Sequence, residues 1–223
     1  MLIFSKPLLV PYIALASFVA IAAITHASTS ETVFIAQFSM LELDGWKNKS
    51  FEGETKYNLK SESQKSFLQA VSMQSASALY KKVKVNINET PYLNWSWRID
   101  KALPELNENE KSGDDYAARL YVVFKTGHTP LSAKALNYVW SSNENPDDYW
   151  PNAYTKKAIM IPLRTSQDKT RIWQHEKINI KEDLIKYFNK VPNYIDGVAI
   201  MTDTDNSKGN AQARYGDIYF SKN

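Results

Sequence analysis

Tyr92-Leu93-Asn94-Trp95-Ser96-Trp97-Arg98-Ile99 alternates large apolar with polar side chains, so that Trp95, Trp97 and Ile99 share one face of an extended chain and Asn94, Ser96 and Arg98 the other. Tryptophans at that spacing belong to the inner face of a sheet. The same period recurs from Tyr116 to Thr126, where Leu120, Val122 and Phe124 share one face and Asp115, Ala117, Arg119, Tyr121 and Val123 the other. Further runs of this kind lie at Thr32–Phe38, Thr55–Lys60, Phe67–Met73, Ala78–Val85, Ala135–Trp140, Ala158–Pro162, Arg171–Ile180, Gly197–Thr202 and Ala213–Phe220. Roughly eleven short strands divided by turn signals predict an all-β fold, two packed antiparallel sheets in a β-sandwich, with Leu120, Val122, Phe124, Val198 and Ile200 buried. One short helix is expected at Lys181–Asn189: Asn179 can cap it, Glu182 completes a box-like pattern, and Pro192 stops it.

Outside that pattern the N-terminus reads as an export signal. Lys6 is followed by an apolar run from Leu8 to Ile24 and by Thr25-His26-Ala27, a cleavage context before Ser28. A retained N-terminal anchor is the competing reading of so long a run. Removing the first 27 of 223 residues leaves 196, the size of a single β-sandwich domain over residues 28–223. With no cysteine to acylate, a lipid anchor is excluded, and stability must come from a core and not from disulfides. These features predict a bacterial periplasmic or secreted protein that has no membrane association once the signal is removed. Lys6 is the only charge of the leader, so 26 basic and 24 acidic side chains remain, evenly spread, and no nucleic-acid partner is implied.

Several chemistries drop out. His26 leaves with the signal, and His128 and His175 alone cannot build a zinc centre without cysteine. No GxSxG elbow is present, and the seven glycines form neither a GxG nor a GK[ST] pattern, so the usual dinucleotide and triphosphate cradles are absent. What remains are polar groups at strand ends. Asp203, Asp205 and Asn206 follow the run Gly197–Met201 and offer hard oxygens suited to Ca²⁺, or else an Asx-rich turn bonding its own backbone. Asp114 and Asp115 precede Arg119, which needs a carboxylate partner, either Asp115 or one on a neighbouring strand, or else a ligand. Arg98 is a second in-strand guanidinium. Trp140 and Trp150 border the loop Ser142–Lys157, and Trp150 suits a solvent-facing platform on which a saccharide ring stacks. The candidate ligand-binding set is therefore Asp114, Asp115, Arg119, Arg98, Trp140 and Trp150, with Asp203, Asp205 and Asn206 as candidate metal ligands expected close to Asp114 and Asp115.

Gly45-Trp46, SAS at Ser75–Ser77, WSWR at Trp95–Arg98, GDDYAAR at Gly113–Arg119, YVWS at Tyr138–Ser141, MTDTDN at Met201–Asn206 and YGDI at Tyr215–Ile218 resemble domain-of-unknown-function family 3047, a family of exported bacterial proteins. The resemblance runs from about Phe38 to Phe220 and implies a single exported domain without a catalytic residue to carry over. The opening GW and closing GDI are also similar to the galactose-binding-like jelly rolls of carbohydrate-binding modules, a likeness of fold and not of function. Three readings follow: a non-catalytic module binding a saccharide or other polar ligand, with Ca²⁺ as a possible structural ion; a carbohydrate-active hydrolase or lyase using the Asp and Arg groups; and a structural envelope protein held by an internal ion-pair network.

Overall fold

Tyr92–Ile99 forms a strand with those same bounds in the computed structural model, which describes residues 32–127 and 129–223. The leader with its His26, and His128, lie outside the described residues. In chain order the strands are β1 (Thr32–Ala36), β2 (Trp46–Glu52), β3 (Lys56–Glu62), β4 (Lys65–Met73), β5 (Ala76–Asn86), β6 (Tyr92–Ile99), β7 (Arg119–Lys125), β8 (Ala133–Trp140), β9 (Trp150–Asn152), β10 (Thr155–Arg164), β11 (Gln174–Asn179), β12 (Tyr194–Met201) and β13 (Asn210–Ser221), with α1 (Ile180–Phe188) between β11 and β12. One sheet has six strands in the order β11-β6-β13-β4-β3, with β1 also paired to β13, and the other has seven in the order β2-β5-β12-β7-β8-β10-β9. Pairing is antiparallel except between β8 and β10, which run parallel.

The inner faces are those the alternation assigns. Leu120, Val122 and Phe124 of β7 and Val198 and Ile200 of β12 are buried against the six-stranded sheet. Aromatic rings fill the space between the sheets: Trp95 lies 5.5 Å from Tyr138 and Trp97 5.9 Å from Trp140, centroid to centroid. Such pairs add about 0.5–1.5 kcal/mol each beyond their buried area. α1 is capped as expected, since the Asn179 side chain accepts from the Lys181 amide and donates to Glu182. It buries Ile180 and Leu184 and sets Phe188 on Phe124, at the end of β7 remote from Arg119.

Two strands gave no periodic signal. Trp46–Glu52 is an edge strand with only Trp46 partly buried, and its Lys47 and Lys49 are charges of the kind that keep an edge from pairing further. Trp150–Asn152 is too short for a period to show. A third difference lies at 113–118, where the alternation predicts β7 to begin at Tyr116. The carbonyls of Tyr116, Ala117 and Ala118 instead accept from the Asp203 amide, the Thr202 hydroxyl and the Trp140 amide respectively, and these separate partners keep the segment off one regular ladder. The chain therefore enters β7 at Arg119 through a buried, irregular segment.

Candidate functional site

That irregular segment and the turn after β12 meet at one end of the seven-stranded sheet, on its outer face. Thr202 and Thr204 point one way: the Thr202 hydroxyl bonds the Ala117 carbonyl and the Tyr215 hydroxyl, and Thr204 bonds Ser72 and the Gln74 amide. Alternation then sends Asp203 and Asp205 the other way, towards Asp114 and Asp115. Asp115 accepts from the Asn206 amide and side chain, each at 3.2 Å, and from the Ser207 amide at 2.6 Å, clasping the two segments together.

Arg119 lies at the centre and is only 3% exposed. Its Nη2 donates to Asp203, its Nη1 lies 3.6 Å from Asp114, and Nε and Nη1 make no hydrogen bond. The guanidinium sits 5.0 Å from the Tyr116 ring centre and 5.6 Å from that of Tyr121. Asp203 also accepts from the Tyr116 amide. Asp114 is fixed from the other side by Asn152, whose amide nitrogen donates at 2.9 Å while its oxygen accepts from the Tyr154 amide. Asn152 thus shapes the β9–β10 turn and positions Asp114 at once.

Burial pushes the Asp203 carboxyl above its ordinary range against the pull of Arg119, with Asp114, Asp115 and Asp205 adding to the rise. Asp114 is raised for the same first reason, and Asp205 by burial and then by Asp115. The floor is short of positive charge. One carboxylate oxygen from each of Asp115, Asp203 and Asp205 lies within 4.8 Å of the others, a hard-oxygen set of the type Ca²⁺ accepts. Donors already occupy Asp115 and Asp203, whereas Asp205 keeps a buried Oδ1 with no hydrogen-bond partner.

Above this floor is an open cleft of about 460 Å³. The small side chains of Ala76 and Ala158 leave it open at the base, and Tyr121 and Met201 line it from β7 and β12. Two aromatic side chains stand at its rim in solvent: Phe51 of β2, 58% exposed, and Tyr154 of the β9–β10 turn, 55% exposed. The Tyr154 hydroxyl donates to Asn206 at 2.9 Å. Hollows of about 520 Å³ beside Glu105–Asn109 and about 510 Å³ on the outer face of the six-stranded sheet are slightly larger. Neither contains the Arg119 cluster, so the smaller cleft is the better site.

Asp114, Asp115, Arg119, Asp203, Asp205 and Asn206 come together as a group, and the acidic turn does lie beside Asp114 and Asp115. Four expectations are corrected. Asp115 is not the partner of Arg119, because it precedes the strand and is engaged by residues 206 and 207. Trp140 is inner core, packed on Trp97 with its indole N–H on the Thr165 carbonyl. Trp150 is no solvent-facing platform; it is buried with Tyr116, Val139 and Met160 in a small core on the outer face. Arg98 lies on the other sheet, 3.9 Å from Asp100 and opposite Arg214 in register. The sequence reading passed over Phe51, Asn152 and Tyr154. Tyr154 was legible as an aromatic in the long polar loop, but Phe51 sits in a strand that carries no pattern.

The family described as "Protein of unknown function (DUF3047)" has a model that matches residues 44–219, most of the chain. The chain belongs to this family. No curated protein matches it by sequence. Among solved structures, this DUF3047 member is similar to the family 30 carbohydrate-binding module of a cellulosomal cellulase of Clostridium thermocellum, at 13% identity and TM-score 0.51, covering 85% of this chain and 96% of that one. It is also similar to the family 11 carbohydrate-binding module from Clostridium thermocellum in complex with a β-1,3-1,4-mixed-linked tetrasaccharide (10% identity, TM-score 0.46, 86% and 96% covered). A cleaved adhesin domain of Lys-gingipain from Porphyromonas gingivalis is similar as well (11% identity, TM-score 0.44, 86% and 99% covered). At such identities the first likeness bears on fold alone: this DUF3047 protein has the two-sheet jelly-roll sandwich of a carbohydrate-binding module.

Proposed function

We propose that this DUF3047 protein is an exported, non-catalytic binding module whose ligand is a saccharide, held in the cleft on the outer face of the seven-stranded sheet. The observation that carries this reading is the pairing of solvent-facing Phe51 and Tyr154 with a buried Arg119 below them whose Nε has no hydrogen-bond partner. A sugar ring offers an apolar C–H face to an aromatic side chain and hydroxyls to fixed donors and acceptors, and Asn152, Asn206 and Arg119 are such groups. The jelly-roll architecture agrees with this reading at the level of fold.

A glycoside hydrolase would need two carboxyl groups free to act across a scissile bond. Here Asp203 is tied to Arg119, Asp114 to Asn152 and Asp115 to the 206–207 amides, which leaves Asp205 as the one carboxyl of the cluster with a buried, unpartnered oxygen and favours binding over turnover. The test is calorimetric titration with a panel of oligosaccharides, with reducing-end release followed in parallel. Binding without release, weakened severalfold in Tyr154→Ala at unchanged stability, supports the module. Release of reducing ends that Asp114→Asn abolishes would replace it with the enzyme.

A further inference from the structure

The floor of the cleft carries an excess of carboxylates. Asp114, Asp203 and Asp205 line its floor with Asp115 buried behind them, and among the described residues Arg119 is the one cation within ion-pair distance of any of these four carboxylates. A uronate or sulfated glycan would enter against that field. A neutral sugar would add no counter-charge to this group, in which Asp205 Oδ1 is already buried without a hydrogen-bond donor.

Two further observations point to what the cleft takes. Arg119, buried and lining the cleft, holds Nη1 3.6 Å from Asp114 but leaves Nε without an acceptor, so the floor also asks for a ligand oxygen. Each rim aromatic already draws an ammonium group of this chain: Lys49 Nζ lies 5.0 Å from the Phe51 ring centre and Lys111 Nζ 5.2 Å from that of Tyr154. Aromatic faces above a carboxylate floor form a cage for an alkylammonium. A bare divalent ion would meet the carboxylates but would use neither the rings nor the unpartnered Arg119 Nε–H.

We infer that the saccharide is an amino sugar with a free, protonated amine. The ammonium sits beside Asp205 and Asp114 under the Tyr154 ring, and a neighbouring hydroxyl accepts from Arg119. This rests on the saccharide reading and names its chemical class.

The experiment is calorimetry on the mature protein at pH 6 in EDTA-containing buffer, with four probes: a fully deacetylated glucosamine tetramer, its N-acetylated counterpart, a neutral β-glucan tetramer and a uronate tetramer. The deacetylated tetramer should bind at least tenfold more tightly than the other three. Asp205→Asn should bring its advantage over the acetylated form to near unity while the melting temperature holds. Equal binding of the acetylated or neutral tetramer would overturn the amine and leave the saccharide reading standing, as would binding that appears only when Ca²⁺ replaces EDTA. Tightest binding of the uronate would reverse the assigned charge. Failure of all four would remove both readings.

Discussion

Replacing Arg119 by methionine keeps most of the side-chain volume and removes the one charge that balances the floor. Asp203 is fully buried and would keep only a 3.4 Å hydrogen bond from the Tyr116 amide, with Asp114, Asp115 and Asp205 still close by. Breaking a buried pair from one side costs about 3–5 kcal/mol, because the remaining charge is left uncompensated. For a chain of this size each kcal/mol moves the melting temperature by roughly 2–4 °C, so the variant should melt roughly 6–20 °C lower. The loss should also depend on pH. Without Arg119 the Asp203 carboxyl is raised further in the folded state, so folding takes up a proton there and the penalty grows as pH rises above the ordinary carboxylate range. Urea unfolding at pH 5 and pH 8 measures this, with the larger destabilisation expected at pH 8. In the double variant Arg119→Met/Asp203→Asn most of the loss should be recovered. A single-variant loss below about 1 kcal/mol at pH 8, or a double variant no more stable than the single, would refute the argument that this pair is a buried charge balance.

Gly113→Ala should destabilise by about 1–3 kcal/mol, as overpacking does, because a Cβ there overlaps the Asn107 backbone; thermal unfolding checks this, and an unchanged melting temperature would show that the 107–113 loop yields freely. Trp150→Ala removes the centre of the small outer-face core and should cost about 3–5 kcal/mol in urea unfolding, against nearly nothing for a solvent-facing platform. Glu108 is buried and accepts from Ser141 and Ser142, and burial raises its carboxyl above the ordinary value near 4.5 in spite of those donors. A raised folded value means that the stability from its proton is present at low pH and is lost as pH climbs from about 4.5 through the folded value. In Glu108→Gln the pH–stability curve should be flatter over that window, and a curve parallel to that of the parent would contradict the assignment.

The sandwich was legible because its inner faces obey a period of two with residues that cannot be mistaken for a surface: Trp95 and Trp97, then Leu120, Val122 and Phe124. The helix was legible from Asn179, whose side chain accepts from the Lys181 amide as a cap should, while Glu182 bonds the Asn179 side chain. Periodicity was blind where a strand has no buried face, as in Trp46–Glu52, and so Phe51 was missed. It misled at Tyr116, since extending the alternation backward put Asp115 on the face of Arg119, whereas the backbone of 116–118 is held by β12 and β8 neighbours that are remote in sequence. The acidic cluster was legible as two groups at strand ends, but its internal pairing was not. Which carboxylate takes Arg119 depends on the turn that Thr202 and Thr204 fix, a contact more than 80 residues away in the chain. Tryptophans were the weakest guides to the site, because Trp140 and Trp150 are aromatic enough for either a core or a platform, and here both are core.

The most direct test is a nuclear magnetic resonance titration of labelled protein with the oligosaccharide best retained on a glycan array. Amide shifts should move for Arg119, Tyr121, Asn152, Tyr154 and Asn206, around the cleft of the seven-stranded sheet. Shifts confined to Asn94, Ser96 and His175 on the outer face of the six-stranded sheet, or no retained glycan at all, would contradict the account.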